Sequence, residues 1–326
     1  METWLPLIFA GVIGLALLLY VILDGYDLGV GLLLPFANDY EKDQMLGSIG
    51  PFWDANETWI VLGIGVLLVA FPEAHGIVLT SLYLPVTLML LALVLRGVAF
   101  DFRIKAGADQ KERWNRIFVL GSLVASLSQG WMLGAYVTGL TQSGLSLLFS
   151  VLVALTLPAL YIMLGAAWLQ AKTAAPLRRK ARIWCRAAWL PMGVCLLLLS
   201  IATPLVSPTI AAKWFTMPNF FYLAPVPLLA VAAYAALGRS LYGVVGWRWT
   251  PFALLALLCV LAAGGLAYSL FPDVVLGRMT LFEAAASVPS LKFTLVGTLI
   301  ALPCIIGYTL FVYRIFGGEL GAQHYE

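Results

Sequence analysis

Charge is what this chain has least of. Of its 326 residues only 11% are Asp, Glu, Lys or Arg, while 62% are hydrophobic and the mean hydropathy is +0.96. A soluble globular domain carries roughly 25% charged residues, so a water-soluble fold is excluded and a polytopic, all-α membrane protein is implied. Histidine is scarcer still. His75 stands in a short connection and His324 in the C-terminal tail, neither of them inside an apolar run. Haem iron in a helical bundle takes His or Met ligands that face the interior, so no haem or copper is expected on this chain's own ligands, and no metal site. Glycine signatures of phosphate or dinucleotide binding are missing too. The four cysteines, Cys185, Cys195, Cys259 and Cys304, are scattered through or beside hydrophobic runs. That spacing fits neither a disulfide framework nor a metal cluster and reads as structural thiols. Internal repeats and low-complexity segments are absent, and no connection is longer than about 20 residues, so one integral-membrane domain over 1–326 is expected, without extramembrane domains.

Long apolar runs are what the chain does have. A spanning helix needs about 20 apolar residues. Nine stretches qualify, over residues 5–34, 56–71, 77–100, 117–140, 145–169, 183–205, 220–241, 251–271 and 291–316. The first is expected to remain as a span, because Glu2 replaces a basic leader region and no cleavage site follows Leu34. Nine spans put the termini on opposite sides, and the basic residues then divide unevenly. Lys42, Arg103, Lys105, Lys111, Arg113, Arg116, Lys172, Arg178, Arg179, Lys180, Arg182, Arg186, Arg239, Arg248 and Arg314 fall on one side, 15 of the 19. Lys213, Arg278 and Lys292 fall on the other. The positive-inside rule makes the first side cytoplasmic, with the N-terminus outside and the C-terminus inside. The basic cluster 172–186 is topogenic charge beside anionic lipid rather than a nucleic-acid patch.

Against that background a few ionisable residues stand out: Asp24, Asp27, Asp54, Arg96 and Asp101 lie in or beside the first three runs. Charge there is costly unless it faces protein or water. Asp24 and Asp27 come about 19 and 22 residues into the first run, spaced i, i+3 on one helix face with Gly25, Gly29 and Gly31 around them. They are either an interfacial pair reaching water or a buried functional pair. Asp54 precedes Glu57 by three residues at the start of the second run, a capping-box pattern that would by itself account for both. The flanking Trp53 and Trp59 argue for membrane depth instead. Arg96 demands an anion. Asp101, five residues on, is about 140° round the helix, so a carboxylate of the first or second helix is the expected partner. Such a row of carboxylates on one arginine can take up protons, or can be a purely structural ion network. In the fourth run Ser126, Ser128 and Gln129, next to Gly130 and Gly134, are accounted for by interhelical hydrogen bonds, with a quinone or proton-path role as the alternative. Glu283 is expected at the interface of an outward connection.

These residues carry a family resemblance. The stretch Asp24-Gly25-Tyr26-Asp27-Leu28-Gly29-Val30-Gly31, the segment Trp53-Asp54-Ala55-Asn56-Glu57-Thr58-Trp59 and the run Arg96-Gly97-Val98-Ala99-Phe100-Asp101-Phe102-Arg103 together resemble subunit II of cytochrome bd ubiquinol oxidases. Residues 118–134, 214–227 and 271–307 are similar as well, so nearly the whole chain is covered. Ala55 departs from the glycine expected there, and a small residue still suits a helix start. The run Trp214-Phe215-Thr216-Met217-Pro218-Asn219 is similar to the cyanide-insensitive branch. The resemblance implies a multi-pass protein of the bacterial cytoplasmic membrane, N-terminus periplasmic, paired with a similarly folded subunit I that holds haem b, haem d and the quinol site. The complex would oxidise quinol, reduce O₂ to water and draw protons from the cytoplasm. It implies a proton pathway through residues matching Asp24, Asp27, Asp54 and Asp101, with Glu57 beside them and Arg96 as charge partner. It leaves room for a quinone or lipid against this subunit and for a small accessory subunit. A proton-coupled transporter and an assembly scaffold remain as alternatives, although an odd number of spans argues against inverted repeats.

Overall fold

The computed structural model describes residues 4–243 and 246–319. Among them are nine helices long and apolar enough to cross a membrane. The chain opens with α1 (Trp4–Leu33), a short 3₁₀ turn, α2 (Asp39–Ile49), α3 (Trp53–Ala70), α4 (Pro72–Ser81) and α5 (Tyr83–Lys105). It continues with α6 (Ala108–Val137), α7 (Gly144–Lys172), α8 (Ala175–Val206), α9 (Pro208–Phe215), α10 (Asn219–Leu223), α11 (Pro225–Tyr242) and α12 (Thr250–Leu270). A two-stranded antiparallel hairpin, β1 (Asp273–Val275) with β2 (Met279–Thr280), and the single turn α13 (Leu281–Ala284) lead into α14 (Val288–Ile315).

Helix α1 is the hub, packing on α3, α6 and α7. From Asp24 to Leu33 every residue of α1 is buried. Glycine makes this approach possible: a Cβ on Gly29 would overlap the Tyr161 carbonyl of α7, and one on Gly165 would lie 2.5 Å from the Gly29 carbonyl carbon. Backbones that close leave no lipid between them and are held by dispersion contacts. By contrast, α8, α11 and α14 bury little of their surface within this chain.

The helix ends differ from the sequence expectations in instructive ways. The second span starts at Trp53, so Asp54 lies in the first helical turn; Phe52 is the N-cap and makes no side-chain cap bond. The capping box expected at Asp54 and Glu57 is therefore not formed, because the Glu57 carboxylate is drawn across to Arg96. True capping boxes occur at Asn38/Glu41 and at Thr280/Glu283. In the second, the Thr280 amide and hydroxyl hold the Glu283 carboxyl below its ordinary range. The third span is broken at Leu82, and His75 sits on α4 rather than in a loop, since Pro72 at the first helical position starts a helix readily. The fourth span runs back to Ala108 as a charged extension of the helix. Residues Glu2 and His324 lie outside the described residues.

Candidate functional site: a buried carboxylate cluster around one arginine

Three helices bring the site together. From α1, Asp24 and Asp27 are both 0% exposed; from α5, Arg96 is 1% exposed; from α3 come Asn56, 0% exposed, and Glu57. The Arg96 guanidinium bonds both carboxylates through one nitrogen, with Nη2 2.6 Å from Asp24 Oδ1 and 2.6 Å from Glu57 Oε1. Glu57 keeps 26% of its side chain exposed, the most of any carboxylate paired with Arg96. Although Asp24 and Asp27 share a helix face, they serve different partners. Asp27 Oδ2 accepts from Asn56 Nδ2 at 2.8 Å. Asn56 Nδ2 also donates to Tyr26 Oη at 2.9 Å, while the Tyr313 hydroxyl donates to Asn56 Oδ1 at 3.1 Å and lies 2.7 Å from that of Tyr26. This ring ties α14 to α1 and α3.

Formal charge in this pocket does not balance. Three carboxyls, Asp24, Asp27 and Glu57, face a single guanidinium, so full ionisation would leave two uncompensated negative charges in a site removed from water. Burying an unpaired ion costs several kcal/mol. Asp24 Oδ2, Asp27 Oδ1 and Arg96 Nη1 are buried without a hydrogen-bond partner within the chain, so the cluster's hydrogen-bonding capacity is only part used. Helix ends add to the asymmetry: the first turn of α3 favours the charge of Asp54, whereas Asp24 and Asp27 lie in the C-terminal half of α1 and gain nothing from its dipole.

Asp54 and Asp101 do not join the buried cluster. Both are exposed on the surface of this chain, Asp54 one turn before Glu57 and Asp101 five residues after Arg96. Deeper in the bundle Gln129 donates to Tyr20 Oη at 2.7 Å and accepts from the Tyr161 hydroxyl at 2.6 Å, which links α6 to α1 and α7. Ser126 is spent locally on the Ser122 carbonyl.

A second ionic layer centres on α2, which no apolar pattern announces. Arg103, 6% exposed, pairs with Asp43 at 2.7 Å; Lys42 reaches Glu112 at 2.9 Å; Lys180 reaches Glu41 at 2.7 Å. The Glu112 contact raises Lys42. Burial pushes the Glu41 carboxyl up, but the Lys180 ammonium and the Asn38 amide outweigh it and hold Glu41 below its ordinary value. Only the Asn38-x-x-Glu41 capping pattern could have signalled this helix.

Among the described residues no group of three or more His, Cys, Asp or Glu could hold a metal ion. His75, on α4, is half-buried with no second histidine among the described residues.

A bundle of apolar spans enclosing a carboxylate–guanidinium cluster defines a multi-pass helical membrane protein with an ionic interior. The chain belongs to a particular family of such proteins, the cytochrome bd terminal oxidase subunit II family, whose sequence model matches residues 5–316. It is accordingly a subunit of an oxidoreductase complex. Among relatives, it is 28% identical over 319 residues to cytochrome bd ubiquinol oxidase subunit 2 of Bacillus subtilis, covering 91% of each chain. It is 26% identical over 353 residues to cytochrome bd-I ubiquinol oxidase subunit 2 of Escherichia coli K12, covering 94% of this chain and 92% of the relative. The fold is similar to a chain of the bd oxidase from Geobacillus thermodenitrificans, with a TM-score of 0.77 at 19% identity over 96% of this chain and 98% of that one.

Proposed function

We propose that this chain is the haem-free subunit of a quinol:O₂ oxidoreductase of the bacterial cytoplasmic membrane, a single integral-membrane unit docked on a subunit I that carries haem b, haem d and the quinol site. Its own chemistry is proton uptake from the cytoplasm for the reduction of O₂ to water. Asp54 and Asp101 stand at the mouth, Glu57 receives the proton, and Asp24 and Asp27 lie buried beyond it with Arg96. The observation that carries this reading is the charge imbalance: Arg96 pairs with Asp24 and Glu57, and a third carboxyl, the fully buried Asp27, lies beside them with only the neutral Asn56 as its bonded partner. A site built only for stability would match its charges, because unmatched buried carboxylates are destabilising. The orientation, with the N-terminus periplasmic, is supported by 15 of 19 basic residues falling on one side. Lipid or a small accessory subunit would cover the apolar faces of α8, α11 and α14.

Purification in mild detergent tests the assignment. The chain should emerge with a haem-bearing partner and support quinol-dependent O₂ consumption; isolation alone, without either, would return it to the transporter class. Within the assembled complex, Glu57→Gln should slow turnover while the haem absorption spectrum is unchanged. Undiminished turnover in that variant would remove the cluster from the proton route.

A further inference from the structure

The hydrogen-bond chain Tyr161–Gln129–Tyr20 is not used by the proton route as drawn, yet it ends at the cluster. Tyr161 is 0% exposed, Tyr20 3% and Gln129 8%. Tyr20 lies one helical turn before Asp24 and interacts with its carboxyl, and Asp24 Oδ2 is buried without a hydrogen-bond partner within the chain. An amide both donates and accepts, so the direction of the chain is set by its ends. At one end the Asp24 carboxylate, paired with Arg96, can only accept. At the other, the Tyr161 hydroxyl donates to Gln129 Oε1. Gln129 Nε2 must then donate to Tyr20 Oη, as it does at 2.7 Å, which leaves the Tyr20 proton free to point at Asp24. All three donors run the same way.

We propose that Gln129 and Tyr161 are positioning residues that aim the Tyr20 hydroxyl proton at Asp24, making Asp24 the fixed counter-ion of Arg96 and leaving proton exchange to Glu57 and Asp27. The neutral amide also closes the α6–α7 side of the cluster to protons, because it passes one on only by changing tautomer. The charged and titratable groups that face Asp24 are Tyr20 and Asp27 from α1, Glu57 from α3, Arg96 from α5 and Tyr161 from α7. Helix α6 contributes the neutral Gln129, and Cys259 of α12 lies beyond Tyr161. This inference rests on the proton-uptake reading above.

Two shape-conserving variants test it in the complete detergent-purified oxidase, Gln129→Met and Tyr161→Phe. A hydrogen bond to a charged group lost at Asp24 should shift the pH profile of quinol-driven O₂ consumption by about one unit. Infrared difference spectra should gain a protonated-carboxyl C=O stretch that disappears in the Gln129→Met/Asp24→Asn double variant. A purely structural role would move neither readout. Wild-type profile and spectrum in both variants overturn the proposal, and so does failure of both to assemble, which would make the chain a packing element only. Glu57→Gln separates the two readings. If it slows turnover while Gln129→Met and Tyr161→Phe keep the wild-type profile and spectrum, the positioning inference alone is wrong. If it turns over normally, the uptake reading fails, and the infrared band still decides the state of Asp24.

Discussion

Arg96→Leu removes the only cation from a site with three carboxyls, and its cost can be worked from the geometry. At an effective dielectric near 20, unit charges 2.6 Å apart attract by about 6 kcal/mol. Most of that attraction offsets the cost of taking the ions out of water, so the pair itself adds little. The asymmetry appears when one partner is lost: an ion stranded in the interior typically costs about 3–5 kcal/mol. Glu57, with 26% of its side chain exposed, can be rehydrated, whereas Asp24 at 0% cannot. Asp24 should therefore account for most of the loss. Thermal unfolding of the detergent-solubilised complex, followed by tryptophan fluorescence, should show a midpoint lower by roughly 5 °C. Adding Asp24→Leu to Arg96→Leu should recover at least half of the drop, because the stranded charge goes with it. An unchanged midpoint in the single variant, or a double variant worse than the single, would refute the electrostatic account.

Three further outcomes are expected. Asp54→Asn, at an exposed site, should leave stability within about 0.5 kcal/mol but slow O₂ consumption several-fold with normal haem spectra; unaltered consumption takes Asp54 off the route, and loss of the complex makes it structural. Gly29→Ala should drive α1 from α7 and sharply lower the yield of assembled complex, since overpacking costs about 1–3 kcal/mol or more; Gly11→Ala, where a Cβ meets nothing within 4 Å, is the neutral control, and equal yields would contradict the close crossing. Glu41→Gln tests the α2 ion pairs by pH. Because Glu41 is held below its ordinary 4.5 in the folded chain, its contribution is present above that value and is lost as pH falls through the lower folded value. The variant should thus be less stable than wild type at neutral pH and equal to it in acid, and a gap that persists in acid would exclude the ion pair as its cause.

Much of the architecture is legible in the sequence because lipid imposes a simple rule. Every backbone polar group in the hydrocarbon core must be satisfied within its own helix, so an apolar run of sufficient length declares a span. The nine runs and the nine spanning helices agree in place. They disagree at the ends, where local chemistry takes over: Pro72 turns an expected loop into α4, and the charged residues 109–116 continue α6 beyond the apolar stretch. The candidate site is legible as a set of residues but not as a set of pairs. Asp24 and Asp27 look equivalent at i, i+3, yet one meets Arg96 and the other Asn56. Glu57 looks like the partner of a capping box and is instead the second anion of Arg96. Tyr20, Tyr161 and Tyr313 carry no signal at all, since a buried tyrosine in an apolar run is indistinguishable from one facing lipid.

By itself the sequence determined the solvent, the number of spans, the uneven distribution of basic residues and the rarity of charge within apolar runs. Each of these is a one-dimensional quantity, fixed by composition and spacing. Tertiary structure decided which charges are buried together and in what ratio. That ratio depends on helices far apart in the chain being packed together, with α1 brought against α7 through glycines that let backbones touch and Arg96 reaching across from α5. Asp54 and Asp101 are left at the surface by the same packing that encloses Asp24, Asp27 and Arg96, because they lie on the faces of α3 and α5 that this chain leaves exposed.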